Sequence, residues 1–474
     1  MRRTKIVATL GPASSSPEVI EEMIRSGVDV FRLNFSHGTA QEQRHRVDVV
    51  RECSQRVGRV VGILADLQGP KIRTASFVDS HVQLIKGENF ILDADLGEDE
   101  GSNERVGITY KDLYRDVASG DILLLDDGRV ELEVVEVIGR EIHCTVMYTT
   151  ELSNHKGINK KGGGLSAPAL TDKDREDLKC AVELDADYVA LSFARTADDV
   201  NECRALVEAA GGSAGIVTKI ERADAIDNLE DIILASDVVM VARGDLGVEL
   251  GDAELPAIQK TIIRAARRLN RVVITATQMM ETMITNPIPT RAEVFDVANA
   301  VLDGTDAVML SGETAVGRHP EKVVKAMSRI CEHAEKQREA MVSDHRIDLV
   351  FGRVDEAIAM ATMYTANHLG VSAIASLTES GATVLWMSRI SSGIPIYALT
   401  RHGRTQRKVT LYRGVYPLPI ADDAIGPIGV TDKVIRIMLG NGLAKRGDRF
   451  ILTRGDLIGE RGAGSNSMKI VDIN

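Results

Sequence analysis

Eight short apolar runs, at 6–10, 28–31, 60–65, 188–193, 215–220, 238–241, 272–276 and 307–310, constrain this chain more than any other feature. Most are separated by helical stretches, such as the one opened by Ser16-Pro17-Glu18, where Ser16 suits an N-cap and Pro17 the first helical position. Eight β-runs alternating with helices are the count of a (β/α)8 TIM barrel, an α/β fold whose active sites lie at the C-terminal strand ends. Polar residues gather at those ends: Arg32, Asn34 and Ser36; Asp66; Ser192; Lys219 and Glu221; Asp245; Thr277; Ser311 and Glu313.

The alternation is interrupted once and then stops. From 70 to 167 the chain reads as short β-rich runs (82–85, 90–92, 122–125, 130–137 and 142–147), with Asp127-Gly128 as a hairpin turn and Lys160-Lys161-Gly162-Gly163-Gly164 as a flexible exit. This predicts an inserted β-barrel lid domain. From 341 to 474 a helix over 356–369 and strands at 373–377, 396–399, 449–452 and 471–473 predict an open α/β domain. The barrel is then left with 1–69 and 168–340.

Composition excludes several classes. A net charge of −12 argues against a general nucleic-acid binder. Cys53, Cys144, Cys180, Cys203 and Cys331 are scattered and odd in number, which fits reduced thiols and not a disulfide framework or zinc site. The run at 6–10 is too short for a signal peptide, and no run approaches membrane-spanning length. A cytoplasmic protein without nucleic-acid or membrane partners is expected.

Lys219 and Glu221 alternate, so in a strand they share a face. Asp245 closes the next run, after Gly244, where backbone can approach a ligand closely. Two carboxylates at adjacent strand ends suit Mg²⁺, which takes one or two carboxylates plus waters and substrate oxygens. Taken alone, the set is equally a structural ion-pair network; its coincidence with the other strand-end clusters favours a functional site. Arg32 suits phosphate by its fork geometry. Arg73 and Lys173 sit at the junctions of the inserted segment, where they are either polyphosphate contacts or ordinary solvated charge. Ser380-Gly381-Ala382-Thr383 opens a helix in an anion-binding pattern, and Gly462-Ala463-Gly464-Ser465-Asn466-Ser467 is a second glycine and hydroxyl loop; taken singly, an ordinary turn is the safer reading of each. Neither is a Walker A motif.

Arg32-Leu33-Asn34-Phe35-Ser36-His37-Gly38, Lys219-Ile220-Glu221, Met240-Val241-Ala242-Arg243-Gly244-Asp245-Leu246-Gly247, Thr277-Gln278-Met279-Met280-Glu281, Thr290-Arg291-Ala292-Glu293 and Met309-Leu310-Ser311-Gly312-Glu313-Thr314 together resemble pyruvate kinases, in order and over essentially the whole chain. The resemblance implies phosphoryl transfer from phosphoenolpyruvate to ADP, giving pyruvate and ATP. It implies Lys219, Arg32 and Thr277 as catalytic residues, and Glu221 and Asp245 as Mg²⁺ ligands, with a second Mg²⁺ carried by the nucleotide. Arg32, Lys219, Gly244, Asp245, Thr277 and Ser192 would contact the substrate, and Asn34, His37, Arg73 and Lys173 the nucleotide. Asn34, Ser36, Asp66 and Leu67 match the family's monovalent-cation site. A homotetramer and a phosphorylated effector bound at Thr378, Ser380, Gly381, Ala382 and Thr383 are also implied.

Two departures from the family pattern stand out. Where many members read Asp-Thr-Lys-Gly-Pro-Glu, this chain has Asp66-Leu67-Gln68-Gly69-Pro70-Lys71. Lysine in place of the K⁺-associated glutamate points to activity without K⁺. The effector loop carries an acid, Glu379, expected to repel added phosphate charge and so to favour a sugar monophosphate or AMP over a bisphosphate. Two other readings compete. A Mg²⁺-dependent aldolase acting on pyruvate enolate would need neither the lid nor Arg73 and Lys173. A phosphate sensor with an inactive barrel is opposed by intact Lys219, Glu221, Asp245 and Thr277.

Overall fold

The computed structural model describes residues 1–341, 350–421, 429–455 and 464–474. Eight strands form a closed barrel in the order Lys5–Thr9, Ala307–Leu310, Val272–Ala276, Val238–Ala242, Gly215–Ile220, Tyr188–Leu191, Gly62–Asp66, Val30–Asn34. The pairing is parallel, with Lys5 opposite Ala307 and Val217 opposite Val238. Most of these strands are buried from end to end, as runs covered on both faces must be. The second strand reaches further than its apolar run, through Asn34, so Arg32 and Asn34 belong to the strand itself. The run at 188–193 ends early, at Leu191, because the chain turns at Phe193, whose φ is 57°.

Local chemistry sets the helices between them. Ser16 Oγ accepts from Val19 N at the start of Pro17–Ser26, and Gly27 ends that helix at φ 123°. Thr39 and Glu42 form a reciprocal capping box for Ala40–Val57.

The chain divides into two compact units. One holds Asp66–Glu183 and Val189–Ile262; the other holds Met1–Ala65, Leu184–Tyr188 and Ile263–Asn474. In the first, the inserted segment is a separate sheet domain. Six strands run in the order Ile158–Lys160, Ile122–Leu125, Val130–Ile138, Glu141–Val146, Asn89–Asp93, Arg105–Gly107, and Thr150–Ser153 pairs with His81–Leu84 as a two-stranded ribbon. Phe90, Leu92, Leu132, Ile142 and Leu152 belong to one core beneath both. The Asp127-Gly128 turn is where expected, with Asp126, Asp127 and Gly128 all at positive φ. The strands Arg105–Gly107, Thr150–Ser153 and Ile158–Lys160 carry little apolar pattern of their own and exist because neighbours pair with them.

In the second unit the C-terminal α/β domain has five strands in the order Val415–Pro419, Ile396–Thr400, Ala373–Leu377, Arg449–Arg454, Ser467–Asp472, the last antiparallel. Val415–Pro419 was not expected, since Pro417 and Pro419 argue against a strand; it lies at the sheet edge, where proline is tolerated. This domain is tied to the barrel segments of its own unit by buried charge. Arg389, only 1% exposed, forks onto Asp306, also 1% exposed, with Nη1 at 2.9 Å from Oδ2, and it donates to Arg271 O at 2.7 Å. Asp306 also accepts from Val273 N at 3.0 Å. Tyr188 Oη donates to Lys408 O at 2.7 Å, and Asp187 accepts from Arg407, Arg51 and Ile63 N.

Truncating a partner of a buried pair strands the other charge, at a cost of about 3–5 kcal/mol. Arg389→Met is therefore expected to lower the first urea-unfolding transition by that amount, followed by circular dichroism. An unchanged midpoint would show that the Asp306 carboxylate does not depend on Arg389.

Candidate active site

In the unit containing Asp66–Glu183 and Val189–Ile262, a buried charge cluster lies at barrel strand ends. Lys219, in Gly215–Ile220, donates to Ser192 Oγ at 2.8 Å and lies 2.8 Å from Glu221 Oε1 and 3.5 Å from Asp66 Oδ1. Glu221 is 2% exposed, and its other oxygen accepts from Phe193 N at 2.9 Å. The turn at Phe193 that shortens the fourth strand is thus what aims this N–H at the carboxylate. Burial pushes the Glu221 carboxyl above the ordinary range; the charges of Asp245 and Asp66 push the same way, against the opposing pull of Lys219.

Asp245 is not a strand-end residue. The chain enters a helix, Arg243–Leu250, directly after Val238–Ala242, so Gly244 and Asp245 sit in its first turn, where N–H groups lack intrahelical acceptors. Asp245 Oδ1 pairs with Lys71 Nζ at 3.0 Å. Leu67 is buried; its carbonyl accepts from Ser192 Oγ at 2.8 Å and its N–H donates to Ala190 O at 3.1 Å. The loop after Asp66 is held by the fully buried Asp174, which accepts from Gly69 N at 2.9 Å. Gly69 itself allows no side chain, since a Cβ would lie 2.7 Å from Ser192 Cβ.

In the other unit, Arg32 Nη1 donates to Thr9 Oγ1 at 3.0 Å, and Thr9 Oγ1 donates to Leu310 O at 2.9 Å, so Arg32 is held by neighbouring strands. Asn34 Oδ1 accepts from Ser36 N at 3.0 Å, and Gln43 fastens the turn by donating to the carbonyls of Asn34 and His37. Thr277 and Gln278 both have positive φ, 67° and 53°, an unusual conformation for a β-branched residue, and Thr277 Oγ1 bonds Ala276 O at 2.6 Å. Glu313 is buried and spent on Met280 N and Ser311 N, so this strand-end acid is structural. Arg73 Nη1 bonds His155 O, and Lys173 pairs with Asp177 one turn along its helix.

In the C-terminal domain Gly381, at φ 84°, precedes the helix Ala382–Ser388. Thr378 Oγ1 accepts from Gly381 N at 3.0 Å and Ser380 Oγ from Ala382 N at 3.4 Å, so the loop's hydroxyls already cover N–H groups expected to meet phosphate. Thr383 Oγ1 lies 2.9 Å from Ser465 Oγ, which brings the two glycine and hydroxyl loops together. Gly462 and Ala463 of the second loop lie outside the described residues. Glu379 pairs with Arg401 and His402, so its charge is already partly offset.

Hard carboxylate oxygens, one of them deeply buried, suit Mg²⁺. Among the described residues no group of three or more metal-binding side chains is gathered.

A closed parallel barrel carrying a lysine among strand-end carboxylates, with a sheet domain inserted after its third strand and an α/β domain after its last, is the architecture of a phosphotransferase family. The family model for the pyruvate kinase barrel domain matches residues 1–324, and the model for the pyruvate kinase alpha/beta domain matches 356–471. The chain belongs to the pyruvate kinase family. It is 54% identical to pyruvate kinase II of Salmonella typhimurium, over 100% of this chain and 99% of that protein. It is 51% identical to the pyruvate kinase of Buchnera aphidicola subsp. Acyrthosiphon pisum over the same shares, and 51% identical to that of Haemophilus influenzae over 96% of each. Among the described residues no helix is long and apolar enough to cross a membrane.

Lys219→Met would remove the cation that faces Asp66 and Glu221. The expected result is a fall in phosphoryl-transfer turnover of roughly 10²–10³ or more with an unchanged circular dichroism spectrum. Near-normal turnover would refute the role of Lys219.

Proposed function

We propose that this protein transfers the phosphoryl group of phosphoenolpyruvate to ADP, giving pyruvate and ATP, with Mg²⁺ but without K⁺, and that a phosphomonoester bound in the C-terminal domain activates it. The single observation that carries the reading is Lys219 Nζ, held by Ser192 Oγ and Glu221 Oε1 and 3.5 Å from Asp66. Phosphoryl transfer asks a protein mainly for positioning and charge neutralisation. Lys219 and Arg32 would neutralise charge on the group in flight. The first-turn N–H groups at Gly244 and Asp245 would receive the substrate carboxylate. Thr277 would steer protonation of the enolate, and Asn34, His37, Arg73 and Lys173 would contact the nucleotide. Mg²⁺ held by Glu221 and Asp245 would supply charge stabilisation at the phosphoryl oxygens, and a second would accompany the nucleotide. The inserted sheet domain would close as a lid and exclude water. The enzyme would work in the cytoplasm as a homotetramer, as the family resemblance implies. A coupled assay of phosphoenolpyruvate, ADP and Mg²⁺ tests the reading; no pyruvate formed would end it.

Independence from K⁺ is supported by Lys71, whose ammonium is 3.0 Å from Asp245 Oδ1, and by Leu67, which offers no side-chain oxygen. A lysine carries at neutral pH the charge that a monovalent ion would bring. In buffer whose only monovalent cation is tetramethylammonium, adding K⁺ at matched ionic strength is expected to change turnover less than tenfold. Lys71→Glu is expected to create a K⁺ response of about tenfold or more, roughly 1.4 kcal/mol of barrier. A strong K⁺ response in the unmodified enzyme sinks this part.

The preference for one phosphate is supported by Glu379, whose carboxylate engages Arg401 and so leaves one guanidinium fewer for a second phosphate group. Thr378, Ser380 and Thr383 with the N–H groups of Gly381 and Ala382 would take the first, exchanging their mutual hydrogen bonds for the ligand. Glucose 6-phosphate, ribose 5-phosphate or AMP is expected to activate. Activation by fructose 1,6-bisphosphate alone is the outcome that contradicts it.

A further inference from the structure

The lid's two connections to the barrel end on the elements that carry Glu221 and Asp245. On the way in, Lys71 pairs with Asp245. On the way out, the strand Ile158–Lys160 and the glycine run after it meet one residue, Glu249, which is 3% exposed and lies in the helix Arg243–Leu250, one turn beyond Asp245. Glu249 O accepts from Gly162 N at 2.9 Å, Glu249 Oε1 from Asn159 Nδ2 at 3.4 Å, and Glu249 Oε2 from Ala223 N at 2.9 Å, two residues past Glu221. Arg222, 3% exposed, adds a parallel tie by donating to Leu165 O, and Gly164 N reaches Asp224 Oδ2 at 3.1 Å. A cavity of ≈ 20 Å³, room for about one water, is lined by Lys71, Asn159, Arg222, Asp245 and Glu249 among others.

A carboxylate so deeply buried could be satisfied within its own helix or by one cation. Instead its two oxygens are divided between the lid and the backbone that follows Glu221. The Asn159 contact is the longest of the set, so it is the joint with room to tighten. We propose that Glu249 is a positioning residue for phosphoryl transfer: by gripping the lid at Asn159 and Gly162 and the backbone at Ala223, it makes the placement of the Glu221–Asp245 pair depend on the lid. Movement of the exit strand would be felt along Arg243–Leu250, which bears Asp245, and at Ala223, which follows Glu221. The two carboxylates would then reach working geometry only with the lid closed, so that charge stabilisation and exclusion of water arrive together. The inference rests on reading residues 70–167 as a moving lid.

The contact has a donor–acceptor sense that mutation can reverse. Asn159→Asp sets two carboxylates against each other. Adding Glu249→Gln restores a pair, since the new amide can give its oxygen to Ala223 N–H and its NH₂ to the new carboxylate. Asn159→Ala cuts only the lid side. The full-length enzyme and these variants are to be compared at pH 8 for turnover, for Mn²⁺ binding by electron paramagnetic resonance, and for hydrogen exchange at the Gly162 amide with and without phosphoenolpyruvate, ADP and Mg²⁺. Asn159→Asp and Asn159→Ala are expected to lose roughly 10- to 100-fold in turnover and to bind Mn²⁺ more weakly, with Asn159→Ala still fully folded by circular dichroism at the assay temperature. The double variant should recover to within about threefold of the unmodified enzyme in both. If Asn159→Asp does not fold, Asn159→Ala carries the test alone. Turnover and Mn²⁺ binding in Asn159→Ala equal to the unmodified enzyme, or a double variant no better than Asn159→Asp, overturns the proposal. If exchange at Gly162 in the unmodified enzyme ignores the ligands, the lid reading fails and the proposal with it. If exchange slows normally while the variants behave as unmodified, only the positioning role falls.

Discussion

Around Lys219 two carboxylates are held away from water. Glu221 and Asp66 both face its ammonium, and both are almost fully buried. Concentrating carboxylates in this way is unfavourable unless cations and N–H groups compensate them. Lys219, Phe193 N and, for the neighbouring Asp245, Lys71 do so within the protein. A divalent cation at these carboxylates, as proposed above, would relieve their crowding further.

That cluster depends on backbone features that serve little else. The left-handed turn at Phe193 delivers an N–H to Glu221, and Gly69 lets the loop after Asp66 lie against Ser192. Asp174 spends its carboxylate on Gly69 N and on Thr171. At the other strand ends, Thr277 and Gln278 are held at positive φ, and Glu313 braces the backbone at Met280 and Ser311. Strain of this kind persists only where surrounding contacts over-determine the chain, and a parallel barrel with buried strands provides them.

Lys71, Asn159 and Glu249 carry a different kind of information. Lys71 leads into the inserted sheet domain, Asn159 lies in the strand that leaves it, and Glu249 is in the helix that carries Asp245. Their contacts join the two ends of the inserted sheet domain to the helix that carries Asp245, all within a single compact unit. In the C-terminal domain Glu379, Arg401 and His402 likewise form a local charge group beside a loop whose hydroxyls cover its own N–H groups.

The eight strands were legible in the sequence because periodicity is local: a buried parallel strand must be a short apolar run, and its polar end must fall where the run stops. The strand-end positions of Lys219, Glu221, Ser192 and Thr277 were legible on that ground, and the roles proposed for them rest on the family resemblance. Strand ends were less legible. The sequence alone did not place Arg32 and Asn34 inside a strand, or Asp245 in the first turn of a helix, because neighbouring strands and the helix ladder decide where pairing stops. The edge strand Val415–Pro419 was hidden by its prolines and exists because Ile396–Thr400 offers it a partner. Asn159, Arg222, Glu249 and the pairing of Lys71 with Asp245 carried no sequence signal. Their meaning lies in hydrogen bonds between residues 57 to 174 positions apart, and only the folded chain decides which buried acceptor each donor meets.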